Sequence, residues 1–590
     1  MAYHVSELSK EELIQAVKEL RDQKARFITI TVLDLGSLVE VVYHFELGKE
    51  IFNILVRTRK DEPIPSITGI YGAAFIAENE AKDMFKLDFQ GLNIDLGGRM
   101  LKVESAKETT LLKPAVGEQP PIMRFLGRCR EKCPASVNIP KYIRQIARGD
   151  PSGAYDTVLE RAPLPAVLGR VCFAPCMDGC RQNVDERAIE IRLLKRYAAD
   201  SLKSLKRDVK RSEPTGRRVA VVGGGPSGIA AAYYLGMMGH DATIYEKRER
   251  CGGAMLWGIP KYRLPKEILQ AEASARFEEA CVKVEYGVEI KSLESLFEKG
   301  FDAVYVAVGA EKGNRLMIEG EDSKGVMECT ELLTSVNLRN EEPQVGDEVI
   351  VIGGGNSAMD SARVSKRLGA RNVTIFYRRT ENEMPALLEE VQAAMREGVS
   401  FEFLAAPLKI IPGERLKIIF QAMVPSEPDS TGRRRPIPLE GCFIERSADT
   451  IIKAIGSSVD IPREFGLEVD KHGCIKINER YETSRKGVYA GGDCAFGPKS
   501  VIEALRDGLK AASEIDKYLG GKGLPEPVLD LGEFVAKPAD IAEMVEAPPV
   551  RVRELPVDER VKSFDEVEQG FTEDEAIREA NRCWRCDWNE

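Results

Sequence analysis

Seven of the thirteen cysteines fall in three tight groups. Cys129 and Cys133 precede Pro134, Cys172, Cys176 and Cys180 follow at four-residue steps, and Cys583 and Cys586 form an R-C-x-x-C pattern with Arg582. Such spacing on a helix or loop brings thiols to one locus, where thiolates bind soft metals, iron in clusters or zinc. The four histidines, at 4, 44, 240 and 472, form no spaced pair, so a histidine zinc or di-iron site is not expected. Cys281, Cys329, Cys442 and Cys474 have no cysteine neighbours and read as small packing residues. Cys251 and Cys494 are solitary as well; a redox-active disulfide needs a second thiol a few positions away, so disulfide exchange is not expected.

Two glycine turns could hold phosphates. An apolar run, Arg217 to Val222, enters Gly223, Gly224, Gly225, Pro226, Ser227 and Gly228, followed by a helical stretch. In this G-x-G-x-x-G set Gly223 permits the tight turn, Gly225 lets a pyrophosphate approach the backbone, and Gly228 lets helix pack on strand. The helix N-terminus beyond, including Pro226 and Ser227, favours an anion. The next strand, Asp241 to Tyr245, ends at Glu246, an acid placed to accept hydrogen bonds from a ribose. The second turn is Gly353, Gly355, Asn356, Ser357 and Ala358 after the strand Glu348 to Ile352, with alanine as the third small residue. Its following strand, Val373 to Tyr377, ends in Arg378 and Arg379 rather than an acid. Paired guanidiniums bind a 2′-phosphate that a carboxylate would repel, so NADP(H) is expected there over NAD(H); a solvated charge pair is the alternative.

Positioning these groups takes several domains, because 590 residues exceed one hydrophobic core. The expected class is α/β, with two nested Rossmann-like units: 216–335 with 456–525 for the first dinucleotide, and 336–455 for the second. A proline-punctuated helical domain at 116–215 carries the first two cysteine groups. Before it, 1–115 reads as α+β: Leu8, Leu13, Val17 and Leu20 recur at helical spacing, and Arg26 to Leu33 and Leu38 to Phe45 look like strands. The tail, 526–590, is Pro-, Glu- and Asp-rich and ends in a short helix opened by a Thr572/Glu575 capping box, which delivers Cys583 and Cys586. A net charge of -10 argues against nucleic acid as a partner. The opening residues lack the features of a signal peptide, so a cytoplasmic protein is expected. The most apolar stretch, Val219 to Gly239, contains a glycine cluster that suits strand-turn-helix better than a membrane span.

Five segments in order, GGGPSGIAAAYYL, CGGAMLWGIPKYRLPKE (251 to 267), GGGNSAMDSAR, VTIFYRRTENEMPA and GVYAGGDCAFGPKSVIEALRDG (487 to 508), resemble the small subunit of NADPH-dependent glutamate synthase over about residues 120 to 520. The wider set includes the flavoprotein chain of electron-bifurcating transhydrogenase and the N-terminal half of dihydropyrimidine dehydrogenase. The resemblance implies FAD at the first turn, with Gly252, Gly253 and Arg263 in a loop along the flavin and Gly492 and Asp493 at its ribityl chain. It also implies that Val308 and Ile455 mark crossings between the FAD and NAD(P)H domains. Hydride transfer from nicotinamide to flavin needs alignment rather than a protein acid or base, so no catalytic residue is named. Iron is the expected metal in such an electron-transfer chain, with zinc the alternative.

The same resemblance implies two 4Fe-4S clusters, whose usual leading R-C-x-x-C pair is absent ahead of Cys129 and occurs instead at Cys583 and Cys586. A tail folded back would give one cluster Cys129, Cys180, Cys583 and Cys586, and the other Cys133, Cys172 and Cys176. Where relatives supply a Glu or Gln as the last ligand, this chain has Lys195. The second cluster then has a fourth ligand from elsewhere, is a three-iron species, or is incomplete.

PIPSITGIYGAAFIAENEAKDMFKLDFQG, Pro63 to Gly91, resembles the 30 kDa peripheral subunit of respiratory NADH:quinone oxidoreductase, with Asn79 in place of an arginine between the two acids. That resemblance implies a cofactor-free docking domain. The expected function is a flavin-dependent NAD(P)H oxidoreductase subunit of a larger complex, exchanging electrons with a hydrogenase-like, complex I-like or ferredoxin partner. A glutamate synthase small subunit serving an amidotransferase is the alternative.

Overall fold

The computed structural model describes residues 3–35, 38–48, 50–95, 127–180, 182–183, 187–428, 434–524 and 547–584. They form two compact units, Met1–Met123 and Arg124–Glu590; the boundary expected near residue 115 lies outside the described residues.

In the first unit β1 (Tyr3–Leu8), α1 (Lys10–Asp22), β2 (Arg26–Asp34), β3 (Leu38–Leu47) and β4 (Glu50–Arg59) precede α2 (Ala74–Phe85). The sheet order is β1-β4-β3-β2, with β1 parallel to β4 and the other pairs antiparallel. Alternation is clear in β3, whose Val39, Val41, Tyr43 and Phe45 are all fully buried. A Ser9/Glu12 capping box opens α1, which buries Leu13, Val17 and Leu20. Leu8, expected on the same helical stripe, belongs instead to β1. It stands just before the Ser9 cap and joins the same apolar cluster as Leu13, the arrangement of a hydrophobic staple, which is why its spacing mimics a helix. In α2 the buried Glu78 accepts hydrogen bonds from the Ser66 hydroxyl and, at 2.8 Å, from the Ile67 amide, pinning the P-S-I-T loop. Burial raises its pKa.

The second unit begins with short helices: α3 (Arg128–Lys132), α4 (Ile139–Ala147), α5 (Pro151–Leu159), α6 (Pro165–Val171), α7 (Pro175–Asp178) and α8 (Ile191–Asp200). Prolines in the first turns of α4, α5, α6 and α7 suit positions whose amides have no helical acceptor. Asn138 and Asp150 cap α4 and α5.

Two five-stranded parallel sheets follow, built alike. The first contains β5 (Arg218–Val222), β6 (Asp241–Glu246), β7 (Lys283–Tyr286), β8 (Ala303–Val306) and, from much later in the chain, a strand at Val488–Ala490 that lies at the far edge beyond β8. Helices α9 (Pro226–Met237) and α10 (Lys266–Ala280) accompany it. The second contains β9 (Val326–Glu328), β10 (Glu348–Ile352), β11 (Asn372–Tyr377), β12 (Val399–Phe403) and a strand at Thr450–Lys453 set between β9 and β10. It carries α11 (Asn356–Arg367) and α12 (Leu388–Arg396). The strand β9 pairs in parallel with Thr450–Lys453, so the second sheet takes in residues expected in the first dinucleotide-binding domain, 216–335. A three-residue strand is too short to show a period that would place it.

Burial ties the helical domain to the first sheet. The Glu272 carboxylate on α10 accepts from the Ala166 and Val167 amides at 2.8 and 2.9 Å and from the Tyr155 hydroxyl at 3.0 Å. It thus satisfies free donors at the start of α6. A helix at Val501–Tyr518, α13, packs on α9 so closely that a Cβ on Gly508 would sit 2.2 Å from the Ser227 carbonyl oxygen.

The described tail, 547–584, runs across both the helical domain and the second nucleotide unit. Glu566 and Glu568 pair with the buried Arg170, Arg192 and Arg196. Arg560 reaches Glu397 at 3.1 Å, and Glu554 pairs with Arg396. The expected Thr572/Glu575 capping box opens α14 (Glu573–Asn581). Beyond it the guanidinium of the fully buried Arg582 bonds Glu579, the Ala547 carbonyl and the Arg187 carbonyl. Among the described residues no helix is long and apolar enough to cross a membrane.

Candidate functional site: a dinucleotide cleft and two thiol-lined cavities

At the carboxyl ends of the first sheet lies a cleft of about 540 Å³, lined by Gly223, Gly225, Pro226, Ser227, Glu246, Gly253, Gly492 and Asp493, among others. Backbone sterics explain its floor. Gly223 has φ +107°, and a Cβ there would lie 2.5 Å from the Ala307 oxygen; one on Gly228 would lie 1.9 Å from the Gly223 oxygen. On Gly225 a Cβ would meet nothing nearer than 3.8 Å, so this backbone faces open space that a phosphate can approach. No side chain caps the start of α9, leaving its first amides free for an anion. Glu246 is buried and accepts from the Gly224 and Arg248 amides, both at 2.8 Å. These bonds hold its carboxylate at the cleft wall.

Gly252 bonds back through its amide to the Gly224 oxygen at 2.7 Å, bringing Gly253 against Gly225. Arg263 goes elsewhere. Expected beside the flavin, it is absent from the cleft lining and pairs with Asp360 on α11 and Glu390 on α12, each at 2.9 Å. The second half of the 251–267 loop therefore docks one nucleotide unit on the other, and Tyr262 lies beneath the Arg367 guanidinium, 3.9 Å from ring centroid to Cζ. The cleft also contains residues that sequence reasoning missed, notably Trp257 and Glu311, the latter paired with Lys247 and Arg248. An acid following the short A-V-G segment was the available signal.

Burial pushes the Asp493 carboxyl up to about 6 from its ordinary 3.8. A raised carboxyl favours the fold at low pH, and the advantage is lost as pH rises from 3.8 through 6. Asp493→Asn is therefore expected to stabilise the flavin-free chain by about 1–3 kcal/mol at pH 7.5, with the gain vanishing towards pH 4. Urea unfolding at the two pH values checks this; a gain that is the same at both would mean that ionisation is not its source.

The second turn repeats the first. Gly353 has φ +144°, and a Cβ there would lie 2.1 Å from the Ala454 oxygen, whereas Gly355 opens outward. Ala358 is fully buried, and the Asn356 side chain accepts from the Leu387 amide at 3.1 Å. Ser357 lies in the first turn of α11 and its carbonyl receives the Ser361 hydroxyl. Arg378 is exposed just past β11, and Arg379 has a buried Nε without a hydrogen-bond acceptor among the described residues.

The described cysteines of the three groups lie in two places. Cys129, Cys180 and Cys583 line one cavity with Gln182 and Trp584. Cys133, Cys172 and Cys176 line another with Tyr142, Lys195 and Ile502, the last on α13. Helix ends place them: Cys133 and Cys172 terminate α3 and α6, and Ala174, at φ 48°, turns the chain into α7 and Cys176. The first cavity's thiols are part-exposed and the second's are buried. Cys586 lies outside the described residues. Among the described residues no three such ligands converge on a point that one metal ion could occupy. Cys329 and Cys474 are buried as packing residues should be, but Cys281 and Cys442 are exposed.

Residues 217–508 match the family described as pyridine nucleotide-disulphide oxidoreductase. Residues 126–207 match dihydropyrimidine dehydrogenase domain II, 4Fe-4S cluster, and 6–109 match respiratory-chain NADH dehydrogenase, 30 kDa subunit. The chain is 36% identical over 497 residues to NADP(+)-dependent formate dehydrogenase subunit beta of Moorella thermoacetica, covering 78% of this chain and 70% of that one. It is 34% identical over 511 residues to NADPH-Fe(3+) oxidoreductase subunit beta of Geobacter sulfurreducens, covering 79% and 76%. To the glutamate synthase (NADPH) small chain of Escherichia coli it is 32% identical over 418 residues, covering 66% and 88%. The chain belongs to the glutamate synthase small-chain family of oxidoreductases. As a member of that family it is an FAD-dependent NAD(P)H oxidoreductase with a 4Fe-4S domain and an added N-terminal domain. The open glycine turns, uncapped helix starts and thiol-lined cavities suit those groups.

Proposed function

We propose that this chain is the NADPH-linked electron-exchange subunit of a multi-subunit redox complex. FAD and 4Fe-4S clusters, when bound, let two-electron hydride chemistry be divided into single-electron steps. The chain's own residues supply place and order. Gly223, Gly225 and the start of α9 bind pyrophosphate, Glu246 takes the ribose, and Asp493 faces the flavin; Gly353, Gly355 and the two arginines after β11 hold the nicotinamide dinucleotide. One observation carries the reading: Ile502, on the helix that follows the Asp493 loop, lines the buried thiol cavity, while the second thiol cavity is part-exposed. Electrons thus have a route from cleft to inner cysteines to outer cysteines and the surface.

The N-terminal domain is read as an adaptor, and the partner as a larger catalytic redox subunit of dehydrogenase, hydrogenase-like or complex I-like type, or a ferredoxin, in the cytoplasm. Purification with bound partners, followed by flavin and iron counting, tests this. One flavin, two clusters and a redox subunit are expected; recovery of a large amidotransferase chain instead would favour the glutamate synthase reading. Removal of residues 1–123 is expected to abolish recovery of the partner while leaving NADPH-dependent dye reduction within about twofold, as expected of a separately folded module. Partner recovery undiminished by the deletion would rule out the adaptor role.

A further inference from the structure

The inner thiol cavity holds an unexplained cation. Lys195 on α8 is 7% exposed and lines the same cavity as Cys133, Cys172 and Cys176. It has no ion pair or side-chain hydrogen bond with any described residue. Its other neighbours there, Pro134, Val137, Ile139, Pro175, Ile191 and Ile502, are apolar, and the Tyr142 hydroxyl is spent on the Ile191 carbonyl at 2.9 Å. A buried ammonium without a partner costs several kcal/mol, and three buried thiolates would be costly too. Each offsets the other if both face one cluster.

We propose that Lys195 is the built-in counter-charge of the inner cluster, which three thiolates hold, and that its ammonium binds no iron but eases uptake of an electron. The step adds one electron, supplied by NADPH through the flavin, and makes or breaks no bond. A fixed positive charge in a low-dielectric pocket lowers the cost of that added negative charge, so the reduction potential rises. The inference rests on the cluster reading of these cysteines, which is tested separately by the iron content and electron paramagnetic resonance signal of the native chain.

The test compares Lys195→Met with Lys195→Arg, following the signal that persists when Cys583→Ser removes the outer cluster. Methionine fills similar space without charge; arginine keeps the charge and cannot ligate. The methionine variant is expected to keep its iron and shift its reduction equilibrium at least tenfold towards the oxidised state, which is 59 mV for one electron. The arginine variant is expected to stay near the native potential. If methionine prevents cluster assembly and arginine restores it, the counter-charge role stands. It is overturned if the methionine variant keeps the native potential, or if both variants lose iron or change their signal alike, as they would if the amine were a ligand. Absence of any inner-cluster signal in the native chain would instead overturn the cluster reading itself.

Discussion

Cys583→Ser is expected to lose roughly half of the chain's iron, the content of one 4Fe-4S cluster of two. The thiol shares its cavity with Cys129 and Cys180, which stand more than four hundred residues earlier in the chain, and a serine oxygen is a poor substitute for a soft ligand. The fold should survive, because the preceding Arg582 keeps its bonds to Glu579, Ala547 and Arg187. Reduction of a large one-electron acceptor at the surface is expected to fall by a hundredfold or more, about 3 kcal/mol of barrier. NADPH-dependent reduction of a small two-electron dye, which can draw on the flavin directly, should change little. Iron counting decides the matter: an unaltered iron content would mean that the tail supplies no ligand. Deleting the whole strap is a poorer experiment. It would strand Arg170, Arg192 and Arg196 without Glu566 and Glu568, and each broken buried pair costs about 3–5 kcal/mol.

The second large effect is on nicotinamide choice. Arg378→Ala combined with Arg379→Ala is expected to lower kcat/KM for NADPH by about a hundredfold to a thousandfold while leaving NADH within about twofold. Arg379 has a buried Nε with no acceptor among the described residues, an arrangement a phosphate oxygen would satisfy. Arg378 stands beside it, exposed at the end of β11. Charge-assisted hydrogen bonds are worth about 1.5–3 kcal/mol each, and two of them account for the factor. Steady-state kinetics with both dinucleotides provides the measurement. An equal loss with NADH would show that the arginines support the fold of the site rather than read the phosphate.

What the sequence made legible was whatever local sterics dictate. Gly223, Gly228 and Gly353 stand where a Cβ would strike a carbonyl, and such requirements are written into adjacent residues. The Thr572/Glu575 cap was legible for the same reason. The pairing of Cys129 and Cys180 with Cys583 was reached through resemblance, since no spacing rule links residues so far apart. Ionic partners were not legible at all. Nothing around Arg170 or Arg192 announces Glu566 or Glu568, because long-range charge pairing has no period. Arg263 was misplaced because a motif identifies a loop but not the direction of each side chain; here the turn at Tyr262 sends it to Asp360. The exposed Cys281 and Cys442 show that a solitary cysteine's burial depends on the face its element presents, which composition does not reveal.

The cavity shared by Cys129, Cys180 and Cys583 has a consequence for how the protein is made. A ribosome that has completed the helical domain and both nucleotide units has not yet synthesised Cys583. On the proposed ligand set the site therefore lacks one of its thiols until that point. On that set, loading of this site waits until Cys583 has been synthesised, and a chain cut short before Arg582 is expected to lack that metal.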